Sequence, residues 1–152
     1  MMLYLVQHGK ARSKEENPDR PLTDEGRREI DAVMLLMMRY GAVTATRVFH
    51  SGKLRAAETA QQIAAKIDAP VEEADGLSPM DDPAIWSERL ADDEQDIMLV
   101  GHLPHVARLA SLLLCGDPEG DVVRFVNAGM VCLQGEDGDW TLHWSIPPSL
   151  VS

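Results

Sequence analysis

The sequence predicts an α/β fold: a three-layer α/β/α sandwich built on a mostly parallel mixed sheet, with antiparallel strands added late. Three observations carry this expectation. Short apolar runs of strand length recur along the chain, beginning with Leu3 to Val6. Segments of helical periodicity separate the early runs, as a parallel sheet requires. From Val122 onward the helices stop, and strand-like runs flank a turn signal at Gly135 to Gly138.

Leu3 to Val6 is cut off by Gln7 and His8, as a buried strand is where it leaves the sheet. Thr23 to Arg39 follows as a helix. Thr23 can cap it, Glu25 and Glu29 favour its start, and Ile30, Val33, Met34, Met37 and Met38 form an apolar face. The methionines read as core filler, and Gly41 ends the helix. Arg47 to Phe49 is a strand, and Leu54 to Ile67 a second helix with Ser51 as a candidate cap. Its apolar contacts are Leu54, Ala57, Ile63, Ala64 and Ile67, and Pro70 follows its end. A weak strand signal surrounds Val71, and Asp82 to Leu90 reads as a short helix. Ile97 to Val100 is a strand, followed by a helix from Pro104 to Leu114 with Gly116 as its stop. Val122 to Val126, Val131 to Gln134 and Trp140 to Trp144 complete the strands, with His143 on a strand surface between two packing tryptophans. The charged stretch Arg12 to Arg20, which contains Pro18, reads as a surface loop near the mouth of the sheet.

A length of 152 residues is that of one domain, so residues 1–152 are expected to fold as a single unit. With 45% hydrophobic and 26% charged residues the chain is globular. A net charge of -11 repels nucleic acid and anionic membranes, so neither is an expected partner. An anionic substrate remains compatible if a local cluster of cations and backbone N–H groups overrides that field. The start Met-Met-Leu-Tyr-Leu-Val lacks the basic region of a signal peptide and is too short to span a membrane, so a cytoplasmic location is expected. Cys115 and Cys132 are far apart and lie in apolar stretches, which suits buried reduced thiols rather than a disulfide or zinc framework.

Three strands end in polar residues of complementary kinds: His8 and Gly9, His50 and Ser51, and Gly101 and His102. In a parallel sheet these ends share the edge where open α/β proteins bind ligands. Arg55 stands four residues after Ser51, in the first turn of its helix, where its side chain leans back toward that edge. Two histidines and an arginine can therefore converge with two helix N-termini, a cationic cluster suited to phosphate. A metal reading competes through the i, i+3 pair His102 and His105, but no carboxylate of suitable spacing accompanies them. His105 reads instead as an exposed or capping residue, and His50 as a core or supporting group.

The order Gln7-His8-Gly9, Pro21-Leu22-Thr23 with Gly26, Ser51 to Thr59, and Gly101-His102-Leu103-Pro104 resembles the histidine phosphatase superfamily. Within it the chain is similar to the small SixA-type phosphohistidine phosphatase branch, over nearly its whole length and without an inserted cap domain. The resemblance implies a phosphatase that needs no metal or cofactor and in which His8 attacks phosphorus. Arg55 and a protonated His102 would stabilise the phosphoryl oxygens, with Gln7, Lys10 and Leu103 lining the substrate.

Two departures from the family pattern bear on the chemistry. The usual Arg before the first histidine is Gln7 here, which donates a hydrogen bond without charge. A hydrogen bond to a charged group is worth roughly 1.5–3 kcal/mol, so the change corresponds to roughly ten- to a hundredfold in rate. Lys10 is a candidate replacement for the missing charge. The second departure is the leaving-group acid: Asp75-Gly76-Leu77-Ser78-Pro79-Met80 offers none in the expected place, and Asp81 and Asp82 beyond it read first as helix caps. A phosphohistidine substrate needs less acid assistance than an ester, because imidazole is the better leaving group. Three functions follow: a phosphohistidine phosphatase acting on a phosphorylated protein such as a histidine-containing phosphotransfer domain, a phosphatase for small phosphomonoesters, and a phospho-ligand binding module with little turnover.

Overall fold

Unbroken runs of leucine, valine and isoleucine form the buried strands, and a computed structural model describing residues 1–151 shows how they assemble. The elements are β1 (Met2–Gln7), α1 (Asp24–Arg39), β2 (Arg47–His50), α2 (Leu54–Ile67), β3 (Val71–Glu73), α3 (Ala84–Ala91), β4 (Ile97–Gly101), α4 (His105–Cys115), β5 (Met130–Glu136) and β6 (Asp139–Ile146), followed by a 3-10 turn at Pro148–Leu150. They build one open six-stranded sheet in the order β3-β2-β4-β1-β5-β6. The first four strands in that order run parallel, and β5 and β6 add antiparallel pairings at the far side. The expected α/β architecture of a mostly parallel sheet ending in antiparallel strands is the one observed.

Strand alternation divides the core into two layers. Tyr4, Val6, Val48, Met98 and Val100 pack with Ile30, Val33 and Met34 of α1 and Ala60 and Ile63 of α2. Leu3, Leu5, Ile97 and Leu99 face the other way, onto Trp86 and Leu90 of α3 and Val106 and Leu109 of α4. The helices that leave β1 and β4 therefore cover opposite faces. That divergence opens a crevice at the carboxyl ends of these adjacent strands, the switch point where such sheets place ligands.

Several local expectations are corrected. Val122 to Val126 is an irregular segment with a bend at Val123 and pairs with no strand among the described residues. Val123 and Phe125 are buried in the α3/α4 layer, and the amide of Val122 donates to Ser111 Oγ at 3.3 Å. The apolar alternation there reflects one-sided burial of a loop, a pattern that sequence periodicity cannot separate from strand pairing. Met38 and Leu54 are exposed rather than part of their helices' buried faces, and Cys115 is exposed at the end of α4 while Cys132 is buried. Pro104 precedes α4 as its N-cap, and α2 is capped by Lys53 without a side-chain bond, leaving Ser51 free for another role. The β5–β6 turn is tighter than expected. Asp137 and Gly138 both have positive φ, the backbone of a two-residue hairpin turn that glycine accommodates without strain.

Candidate active site

The register of the sheet brings the polar strand ends together. Gln7 pairs with Gly101, and the amide of His8 donates to Gly101 O at 3.0 Å, so His8 and His102 emerge side by side. Their ring centroids lie 5.0 Å apart. β2 is the neighbour of β4 on the other side and delivers His50 and Ser51 to the same edge. Arg55, in the first turn of α2, reaches back as its helical position requires, and its Nε donates to His8 Nε2 at 3.3 Å.

The tautomer of His8 follows from its partners. Its Nδ1 lies 2.7 Å from the carbonyl oxygen of Gly9, which can only accept, so Nδ1 carries the proton and Nε2 presents a lone pair. The bond from Arg55 to Nε2 requires the same assignment. Burial, opposed in part by the Gly9 bond and reinforced by Arg55 and Arg20, pushes the His8 pKa down to about 4. At neutral pH the ring is therefore an uncharged nucleophile with one nitrogen anchored and the other facing a guanidinium.

The backbone around His8 is held from three sides. Asn127 Nδ2 donates to His8 O at 2.9 Å, and the amide of Ala128 donates to Gln7 O at 3.0 Å. Thr59 Oγ1 accepts from the amide of Gly9 at 3.0 Å and donates to Arg55 O at 2.7 Å, tying the nucleophile's loop to the helix that carries the arginine. Gly26 completes the support. A side chain there would overlap the backbone of Lys10, so only glycine lets α1 approach the loop this closely.

His102 is held differently. Its Nε2 lies 2.6 Å from Ser51 Oγ, while its buried Nδ1 has no partner among the described residues. Burial is the main force on its pKa, with His8, Arg55 and Lys53 adding repulsion, and together they push it down to about 3. The protonated His102 expected from the sequence is thus not the resting state of the empty site. An arriving phosphoryl anion reverses the sign of the local field and favours the charged ring.

The remaining candidates separate clearly. Gln7 is buried, and its Oε1 has no hydrogen-bond partner among the described residues. Lys10 is engaged elsewhere: its ammonium contacts Glu25 at 2.8 Å and Glu29 at 3.5 Å, so the structure gives no support to its replacing the charge absent at Gln7. Leu103 is partly exposed beside His102. Asp81 accepts from the amide of Ser78 at 2.9 Å in the turn before α3, and Asp82 from that of Ala84, the first residue of α3, at 2.9 Å, whereas the helix cap itself is Pro83 and not the expected aspartate. His105, expected as an exposed or capping residue, is fully buried, and neither ring nitrogen has a partner among the described residues. His50 accepts from the amide of Gly52 at 3.0 Å through Nδ1 and acts as a local support. Among the described residues, no group of three or more histidine, cysteine or acidic side chains is placed to hold a metal ion.

Sequence reasoning assigned no such role to three contributors. Ser51 was read as a polar strand end and a candidate helix cap, Arg20 as a loop charge, and Asn127 followed a segment read as a strand. Their roles rest on long-range proximity, as in the 119-residue separation of Asn127 from His8.

A neutral histidine beside an arginine and a second histidine at an α/β sheet edge suits the binding and transfer of a phosphoryl group. The chain belongs to the histidine phosphatase superfamily, whose branch 1 family model matches residues 3–83, and it is accordingly a phosphatase. Among solved structures it is similar to the protein histidine phosphatase SixA complexed with tungstate, with 25% identity, a TM-score of 0.85 and complete coverage of both chains. The alpha-ribazole phosphatase from Shigella flexneri matches with a TM-score of 0.78 and 16% identity, over 94% of this chain and 95% of that one. A mutant phosphoserine phosphatase from Entamoeba histolytica in complex with phosphoserine matches with a TM-score of 0.69 and 20% identity, over 95% of each chain. None of the curated proteins is a significant match.

Proposed function

We propose that this phosphatase hydrolyses phosphohistidine in a phosphorylated protein, through a covalent phosphohistidine on His8. The observation that carries the reading is the pairing of a fixed, uncharged His8 Nε2 with Arg55 at 3.3 Å, while both acidic candidates, Asp81 and Asp82, accept backbone amide bonds from Ser78 and Ala84. The likeness to SixA, a protein histidine phosphatase, supports the same substrate class.

The chemistry proceeds in two displacements. Arg55 gives up its bond to Nε2 and turns to the phosphoryl oxygens, and the Nε2 lone pair attacks phosphorus opposite the leaving nitrogen. The P–N bond of the substrate breaks, and its imidazole keeps the electron pair and takes a proton from solvent. Positive charge that develops on the His8 ring is stabilised through the Nδ1–H bond to Gly9 O. Arg55, the Gln7 amide and His102, charged once the anion has arrived, stabilise the equatorial oxygens. Water then attacks phosphorus from the vacated side, the P–Nε2 bond breaks, and phosphate leaves with the water's proton passing to solvent.

The reading is tested by comparing wild type with His8→Ala on a phosphohistidine peptide and on a panel of phosphomonoesters. It predicts turnover of the peptide in preference to every ester, all of it abolished in the variant. Equal or better turnover of an ester, with a strong loss in Asp82→Asn, would replace it with a phosphomonoesterase. Tight phosphate binding without turnover would leave a binding module.

A further inference from the structure

The edge of the sheet that presents His8 also gathers cations that have no acidic partner. In a chain of net charge -11, Lys10, Arg12, Arg27, Arg47, Lys66, Arg89 and Arg108 are all ion-paired. Of the seven cations that join no ion pair among the described residues, Arg20, Lys53, Arg55 and Arg124 flank this edge, and Lys14, Arg28 and Arg39 make up the rest. Lys53 and Arg55 follow β2, and Arg20 lies two residues before Leu22, whose side chain a methyl group on Gly9 would meet at 3.3 Å. Arg124 stands on the opposite flank, where it borders a cavity of about 400 Å³ with Phe125, Gly129, Met130, Ser145 and Ile146.

Pairing register places that cavity beside the reaction site. Met130 faces Val6 at the end of β1, and Ile146 faces Met130, so the cavity sits at the His8 edge, one to two strands away. The segment Asn127–Ala128 that grips the backbone of His8 runs between cavity residues Val126 and Gly129. Along this edge the order is Lys53 after β2, His102 after β4, His8 after β1, and Arg124 with its cavity at β5. From β2 to β5 is three strand spacings of about 4.8 Å, roughly 14 Å in all. A bound phosphoryl group alone does not bridge both flanks. An extended polypeptide rising about 3.3 Å per residue covers that span with four or five residues.

We propose that this edge is a docking face for an acidic, extended segment of the phosphorylated protein. Its carboxylates meet Arg124 on one flank and Arg20 and Lys53 on the other, and an apolar side chain of the same segment enters the Arg124 cavity. The inference rests on the phosphohistidine reading above and adds the sequence context that the enzyme selects. The global negative charge discourages an acidic partner at long range. Within a screening length of about 8 Å the unpaired cations favour an acidic segment at this edge.

Three synthetic phosphohistidine peptides test it, flanked on both sides by leucine then glutamate, by leucine then lysine, or by glycine then glutamate. Phosphoramidate serves as a substrate without a polypeptide. The wild type is expected to show kcat/KM at least about fivefold higher for the leucine–glutamate peptide than for either other peptide, with the charge preference collapsing near 1 M salt, where screening acts within about 3 Å. Arg124→Glu should lose the charge preference while hydrolysing phosphoramidate at the wild-type rate, which also shows that the variant is folded. Equal kcat/KM for the glutamate and lysine peptides, or a preference that survives in Arg124→Glu, overturns the docking face while leaving the phosphohistidine reading intact. Failure of the wild type to hydrolyse phosphoramidate and all three peptides overturns that reading and the docking face with it.

Discussion

His8 and His102 end neighbouring parallel strands, lie 5.0 Å apart, and are prepared in opposite ways. His8 has its proton anchored on Gly9 O and its lone pair turned toward Arg55, and its backbone is gripped by Asn127, Ala128 and Thr59. His102 is held through one nitrogen by Ser51, and the other is buried without a partner. Burial makes both rings neutral in the empty site. The difference teaches that the first is organised before substrate arrives, while the second becomes a charged donor only when an anion makes it so. The two histidines are distinguished by their hydrogen bonds rather than by residue type.

The largest expected effect breaks the pair apart. His8→Ala should lower kcat/KM by about a thousandfold or more and remove the phosphoenzyme, since no covalent route remains. His102→Ala should cost about a hundredfold in kcat while still forming the phosphoenzyme, as loss of one oxyanion donor does. Equal labelling defects in the two variants would erase the distinction. Steady-state kinetics combined with alkali-quench labelling measures both.

Protonation separates folded from unfolded chains in the same way at both rings. Each pKa is depressed from 6.5, to about 4 for His8 and about 3 for His102, so the unfolded chain binds protons first as pH falls. Their contribution to stability is complete above about pH 6.5 and is lost below it, by about 3 kcal/mol for each ring by pH 4. Urea unfolding across that window should show His8→Asn and His102→Asn variants losing correspondingly less stability than wild type. Parallel curves for all three proteins would contradict the assignment of neutral buried rings.

Gln7→Arg sharpens the comparison from the nucleophile's side. Restoring a cation behind His8 should raise kcat/KM by about tenfold, provided that the charge at this position limits the rate. No change would mean that Arg55 and Arg20 already supply the charge. The smallest effect belongs to Ser51→Ala, which removes one hydrogen bond from His102. About fivefold in kcat is expected, with KM little affected, corresponding to about 1 kcal/mol.

Most of the fold was legible because the parallel strands are buried on both faces, and their apolar runs can be read without knowing their partners. Val122 to Val126 failed for the complementary reason: Val123 and Phe125 bury one side of an unpaired segment, and burial alone imitates a strand. In the site, His8, Arg55 and His102 were legible from strand ends and helical spacing. Lys10 was misjudged as a spare charge, because its engagement by Glu25 and Glu29 depends on how α1 packs against the loop. His105 was misjudged as exposed, since one position in a helix's first turn faces the core or solvent according to the helix's rotation over the sheet. The roles of Ser51 and Asn127 depend on tertiary contacts at 2.6 Å and 2.9 Å that no local pattern encodes.

The nucleophilic role of His8 is tested most directly by trapping the intermediate. Mixing the enzyme with radiolabelled phosphoramidate, quenching in alkali within a turnover and mapping the labelled peptide should place an alkali-stable, acid-labile phosphoryl group on the peptide containing His8. Label on any other residue, or turnover by His8→Ala at the wild-type rate, would contradict it.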